Sequence, residues 1–249
     1  MTSIDKVRST WRSERLERDV ALVRWGSCGR PLLMFPTAGG DAEEIERFLV
    51  INCLKPLIEA GKLKVYSCDS VAGQALVAQE GSPRHRMWVL NQFHQYVRHE
   101  VVPAIRKDCG NPDIEIVSAG ASIGAFHAVA AVCRFPDVFS SCIAMSGTYD
   151  LRRFFGTDHF VDDFWVSSPL HFVPTLKGPH LDKLRTRFIL MPSGEGKAED
   201  IKESWAMART LGNQRIPNRV DSWGKQTPHD WVTWRAMLPK YVAEHVVGR

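Results

Sequence analysis

A chain of 249 residues, 44% hydrophobic and 24% charged, has the size of one large α/β domain and the composition of an ordinary folded protein, which excludes long disorder and collagen-like repeats. Its 32 basic and 28 acidic residues leave a net charge of +4, and no block of five or six like charges occurs, so charge gives no case for a nucleic-acid partner. Cys28, Cys53, Cys68, Cys109, Cys133 and Cys142 are scattered singly, without the paired spacing of a zinc site or the density of a disulfide scaffold. The opening residues are polar and charged, and no uncharged apolar stretch approaches the roughly 20 residues of a membrane span. The expected setting is therefore cytoplasmic, with no membrane and no metal.

In chain order, residues 18–25 mix Val20, Leu22 and Val23 with charges and predict an early antiparallel strand. Residues 31–35 form an apolar strand that ends at Pro36-Thr37-Ala38-Gly39-Gly40, and residues 41–60 carry helical periodicity. A strand over 63–68 follows, then an irregular stretch to Pro83 and a long amphipathic helix toward Ile105. The β-branched run at 113–119 leads straight into Gly120-Ala121-Ser122-Ile123-Gly124 and a small-residue helix ending near Arg134. Further strands are expected at 140–145, 187–191 and 219–223, before a terminal helix over 231–247. Strands alternating with crossover helices predict a mostly parallel sheet covered on both faces. With no internal repeat and no linker, residues 1–249 read as a single domain. Only residues 150–184 break the pattern; dense in aromatics from Phe154 to Phe172 and interrupted by Pro169, Pro174 and Pro179, they read as a cap-like insertion.

Chemistry enters at the G-x-S-x-G of residues 120–124. A serine on a turn that sharp needs minimal side chains two positions to either side, and the confirming context is a strand before it and a helix after it. Ser122 is thus the candidate nucleophile. Its base must follow later in the chain, and His229, in Thr227-Pro228-His229-Asp230-Trp231 between the last strand and the terminal helix, is the candidate. Of the other histidines, His85, His94 and His99 read as solvated, and His127 as buried on the elbow helix. His159, His171 and His180 fall in the insertion, within possible reach of substrate. For the acid, Glu199 is favoured because it lies far enough past the strand at 187–191 to bend back toward His229. Glu195 and Asp200 are the alternatives, Asp200 also as a helix N-cap, and Asp150 is an outside candidate. Backbone amides for the oxyanion are expected from Ile123 and from Ala38, with Thr37 next.

The segments Phe35-Pro36-Thr37-Ala38-Gly39-Gly40, Gly120-Ala121-Ser122-Ile123-Gly124-Ala125, Met145-Ser146-Gly147-Thr148-Tyr149-Asp150 and His229-Asp230-Trp231-Val232-Thr233-Trp234-Arg235 together resemble the esterase family of α/β-hydrolases that includes esterase D and the mycobacterial mycolyltransferases. The likeness runs from about residue 18 to residue 241, and the His-x-Trp-x-x-Trp-Arg ending is its most specific piece. The resemblance implies the α/β-hydrolase fold, with the aromatic-rich insertion after the sixth strand of the sheet. It also implies a serine hydrolase or acyltransferase with no metal and no organic cofactor. By analogy with the Gly-x-Gly loop ahead of the family's catalytic glutamate, it favours Glu199. The chain departs from the secreted members in being compact and lacking a secretion signal.

Three readings follow. The first is a carboxylesterase acting on a small-molecule ester; the aromatic insertion suits an apolar acyl or aryl group better than a highly charged one. The second keeps the same acyl-enzyme but hands it to an alcohol or amine, or takes a thioester such as a glutathione conjugate, as S-formylglutathione hydrolases do. The third is a binding module that keeps the fold without turnover. Exposed edge aromatics are candidates for a homodimer surface.

Overall fold

The computed structural model describes residues 4–248. Eight strands form one sheet: β1 (Lys6–Ser13), β2 (Arg18–Trp25), β3 (Arg30–Phe35), β4 (Leu63–Cys68), β5 (Ile116–Ala121), β6 (Phe139–Met145), β7 (Phe188–Ser193) and β8 (Asn218–Ser222). Their order is β1-β2-β4-β3-β5-β6-β7-β8. β1 and β2 pair antiparallel, as do β2 and β4, and every later pair is parallel. This is the α/β-hydrolase architecture.

Period-two alternation divides the core between the two faces of the sheet. Leu33, Phe35, Ile116, Ala144 and Met191 lie in one buried cluster, and their neighbours Leu32, Met34, Val117, Met145 and Leu190 lie in the other. The second cluster is covered by α1 (Glu44–Arg47) and α2 (Val50–Glu59) together with the C-terminal helix at Trp231–Val242. The first is covered by α3 (Val71–Val77), α4 (Pro83–Tyr96), α5 (Val102–Asp108) and α6 (Ile123–Arg134). The insertion then supplies α7 (Asp162–Trp165), α8 (Pro169–Phe172) and α9 (Gly178–Leu184). The last two helices are α10 (Ile201–Asn213) and α11 (Trp231–Val242). Phe155 and Phe164 of the insertion are fully buried, whereas Trp165 is exposed.

Several expectations need correction. The charged, exposed strand β1 was not expected; its register on β2 runs over all eight residues, and its side chains are tied down by Trp11 and Ser13 donating to Glu100. The helix expected over 41–60 is two helices, because Leu49 adopts a left-handed φ of 63° and restarts the turn. The stretch expected to be irregular before Pro83 contains α3. His94, expected to be solvated, is buried between α4 and α6, where Arg134 donates to its Nδ1 at 3.0 Å and His127 Nδ1 lies 3.2 Å from its Nε2. Among the described residues no helix is long and apolar enough to cross a membrane.

Candidate active site

The register of the sheet brings the loops of interest to one edge. Phe35 lies opposite Gly120, Ala121 opposite Met145, and Ser193 opposite Ser222. The chain therefore leaves β3 into Thr37 and Ala38, β5 into Ser122, β6 into Ser146, β7 toward Glu199 and β8 toward His229, all at the carboxyl ends of neighbouring strands. That edge is where ligands meet an open α/β sheet.

Ser122 stands at φ 57° and ψ −123°, a conformation that costs a non-glycine residue energy. Two glycines make the turn possible. A Cβ on Gly120 would lie 2.3 Å from the carbonyl of Gly124, and one on Gly124 would lie 2.5 Å from the carbonyl oxygens of Phe35 and Pro36. The turn is held by the Ser122 amide donating to Met145 at 3.1 Å and the Thr148 amide donating to Ser122 at 3.3 Å. The amide of Ile123 opens α6, where the helix dipole favours negative charge.

The loops after β7 and β8 are laced together by backbone hydrogen bonds. Glu195 donates to Gly224, Gly196 to Thr227 and His229 to Lys197, each at 3.0 Å. Gly194 permits this closeness, since a Cβ there would sit 2.1 Å from the Thr227 oxygen. The lacing brings His229 Nδ1 to 3.1 Å from Glu199 Oε2, with the Glu199 side chain 1% exposed and His229 22% exposed. Ser146 donates to the other carboxylate oxygen at 2.5 Å, and the indole of Trp234 donates to Ser146 at 3.0 Å. The Trp234 ring also stands edge-on to His229, 5.0 Å away at 87°.

The remaining candidate acids lie elsewhere. Asp200 caps α10 by accepting from Lys202, Glu195 is exposed and accepts from Ser222, and Asp150 holds Arg152 in a two-pronged pair that keeps the Asp150 carboxyl below the usual carboxylate range. None of the three meets His229.

In the loop after β3, Thr37 is a correction. Its amide donates to Glu44 Oε2 at 2.7 Å and its hydroxyl to Oε1 at 2.6 Å, so that amide is spent on shaping the loop. The Ala38 amide donates to no backbone or side-chain group among the described residues. Burial raises the Glu44 carboxyl above its ordinary range despite the two donors from Thr37. His171 pairs with Ser168 and His180 with the Cys133 carbonyl. Among the described residues, no group of three or more His, Cys, Asp or Glu is arranged to hold a metal ion.

Sequence reasoning missed Ser146, Trp234 and Glu44. Ser146 and Trp234 lay inside motifs already singled out, and Ser146 follows a strand adjacent to that of Ser122; Glu44, the first residue of α1, carried no such signal.

Ser122 and the Glu199–His229 pair thus lie on loops at one edge of the sheet. The family model described as "Putative esterase" matches residues 57–245, and the chain belongs to that family of hydrolases. A search of the curated proteins finds no match to this sequence. The solved structures it is similar to include a ferulic acid esterase, at 15% identity and a TM-score of 0.70 over 96% of both chains. Another is an S-formylglutathione hydrolase from Agrobacterium tumefaciens, at 13% identity and a TM-score of 0.73 over 96% of this chain and 94% of the other. A fluorophosphonate-binding serine hydrolase of Staphylococcus aureus aligns at 13% identity and a TM-score of 0.69 over 98% of each chain. At these identities the likeness is one of fold.

Proposed function

We propose that the protein is a serine carboxylesterase that hydrolyses a small to medium carboxylic ester through an acyl-enzyme on Ser122. The observation that carries this reading is the buried Glu199 to His229 hydrogen bond, formed at the same sheet edge as a serine on a strained elbow. Ser122 Oγ attacks the acyl carbon while His229 Nε2 takes its proton, and Glu199 orients and stabilises the imidazolium. The carbonyl oxygen becomes an oxyanion that accepts from the amides of Ile123 and Ala38. As the tetrahedral intermediate collapses, the ester oxygen leaves with the proton held by His229. Water then attacks the acyl carbon with His229 as base, releasing the acid and restoring the serine.

Turnover of p-nitrophenyl acetate, butyrate and octanoate by wild type and Ser122→Ala tests the reading. Release of p-nitrophenol that disappears in the variant supports it; equal release by both contradicts it. Added alcohol that diverts product from acid to ester would instead make the protein an acyltransferase using the same residues.

A further inference from the structure

The proton on a hydrogen-bonded chain can be placed by asking which members can only donate. An indole N–H has no acceptor capacity, so the 3.0 Å contact between Trp234 Nε1 and Ser146 Oγ uses the hydroxyl oxygen as acceptor. The single Ser146 proton is thereby directed along the other contact, 2.5 Å to Glu199 Oε1, a length typical of a hydroxyl bound to an ionised carboxylate. With Oε1 already accepting, the remaining proton between Glu199 and His229 belongs on Nδ1, 3.1 Å from Oε2. His229 is then the tautomer whose Nε2 lone pair is open.

We propose that Trp234 and Ser146 are positioning residues that set the tautomer and orientation of His229 through Glu199. The inference rests on the reading of Ser122, His229 and Glu199 given above. Three features show that the chain is built rather than incidental. Trp234 and Ser146 are 4% and 2% exposed, so water does not compete for their hydrogen bonds. Ser146 holds a left-handed φ of 46° and is pinned by its amide donating to Pro192 at 2.8 Å, a strained geometry that aims its hydroxyl at the acid loop. Trp234 also stands edge-on to the His229 ring, so one side chain both starts the chain and fixes the plane of its last member. The nearest charged neighbours in sequence, Lys197, Asp200 and Asp230, are exposed and take no part in it.

The test compares Ser146→Ala, Trp234→Phe and the double variant, using kcat/KM against pH on a p-nitrophenyl ester and the downfield imidazole N–H resonance of His229. Loss of the Ser146 donor lowers kcat about tenfold to a hundredfold, the worth of one hydrogen bond to a charged group, with KM little changed. It also leaves the Glu199 charge less compensated, which strengthens its hold on the imidazolium and moves the acid limb of the profile to higher pH. Trp234→Phe, which keeps an aromatic ring but removes the N–H donor with part of the indole, shifts the limb and the resonance in the same direction by less. Because both residues act through one carboxylate, the double variant matches Ser146→Ala alone. Additive losses, or an unmoved acid limb and resonance in the single variants, overturn the proposal. Ser146→Gly, which accepts the positive φ freely, serves if the alanine variant does not fold. Phosphonate labelling of wild type separates the two readings: a Ser122 that takes no label sinks the hydrolase assignment itself, whereas a labelled Ser122 with unmoved variants sinks only the positioning roles.

Discussion

His229 Nδ1 and Glu199 Oε2 lie 3.1 Å apart although thirty residues separate them in the chain, and the carboxylate is almost wholly shielded from water. Such a carboxylate, close to an imidazole, favours one tautomer and stabilises the imidazolium that forms during acyl transfer. Glu199→Gln keeps the shape and removes the charge; kcat on a p-nitrophenyl ester is expected to fall by about 10³ to 10⁴. Asp200→Asn, Glu195→Gln and Asp150→Asn, whose side chains serve other partners, are expected to stay within about threefold of wild type. A comparable collapse in any of these three would move the acid's role away from Glu199.

The meeting of the two loops depends on Gly194. Gly194→Ala places a Cβ against the Thr227 carbonyl, and the loops separate to relieve it. The expected result is a loss of kcat of at least about tenfold, because misplacing a catalytic group by roughly 1 Å is costly, with a modest fall in Tm. Wild-type activity in this variant would mean that the lacing does not position His229.

Glu44 orders the loop after β3 through Thr37. Its carboxyl is raised by burial, so the folded state binds a proton more tightly than the unfolded chain. Stability from this group is fully present below the ordinary glutamate range and is lost as pH rises through the folded value. Glu44→Gln removes that loss but leaves one acceptor oxygen where the carboxylate offered two to the Thr37 amide and hydroxyl. Activity is expected to drop about tenfold through the displaced Ala38 amide, a loss of about 1.4 kcal/mol of transition-state stabilisation. Urea titration across pH 4 to 8 is expected to give a flatter pH dependence for the variant; an unchanged slope and unchanged kcat would contradict the role of Glu44.

His94 and His127 are buried neutral, with His94 pushed well below its ordinary range and His127 down to about 3, burial being the first cause in both. Both bases have depressed folded values, so the unfolded chain binds more protons below about pH 6.5 and stability falls as pH falls. At pH 4.5 His127 alone is expected to cost about 3 kcal/mol relative to pH 7.5, from two pH units at 1.36 kcal/mol each. Denaturant midpoints measured over that range are expected to decline for wild type and to decline less for His127→Gln. Parallel curves would refute the assignment.

Much of the site was legible because its chemistry is local in sequence: the glycines around Ser122 and the strand-loop-helix setting of His229 are spacing signals. The sheet followed from apolar runs of strand length. Other parts were not legible because they depend on tertiary pairing. β1 is charged and exposed, and only its register on β2 makes it a strand. His94 sits among polar and charged neighbours in sequence, yet α6 covers it. Thr37 and Ala38 read alike as donors, and only the folded position of Glu44 separates them. Glu199 is favoured in the sequence over Glu195 and Asp200 by its place past the strand, but its contact with His229 depends on how two loops interlock, which no single segment encodes.

The central claim is that Ser122 carries the acyl group, and covalent trapping tests it most directly. Wild type, Ser122→Ala and His229→Ala are each treated with an alkyl fluorophosphonate, and the adduct is measured by intact mass and located by peptide mapping. The account predicts one adduct per chain on Ser122 in wild type, none in Ser122→Ala, and slow labelling in His229→Ala. An adduct on another residue, or none on folded wild-type protein, would contradict it.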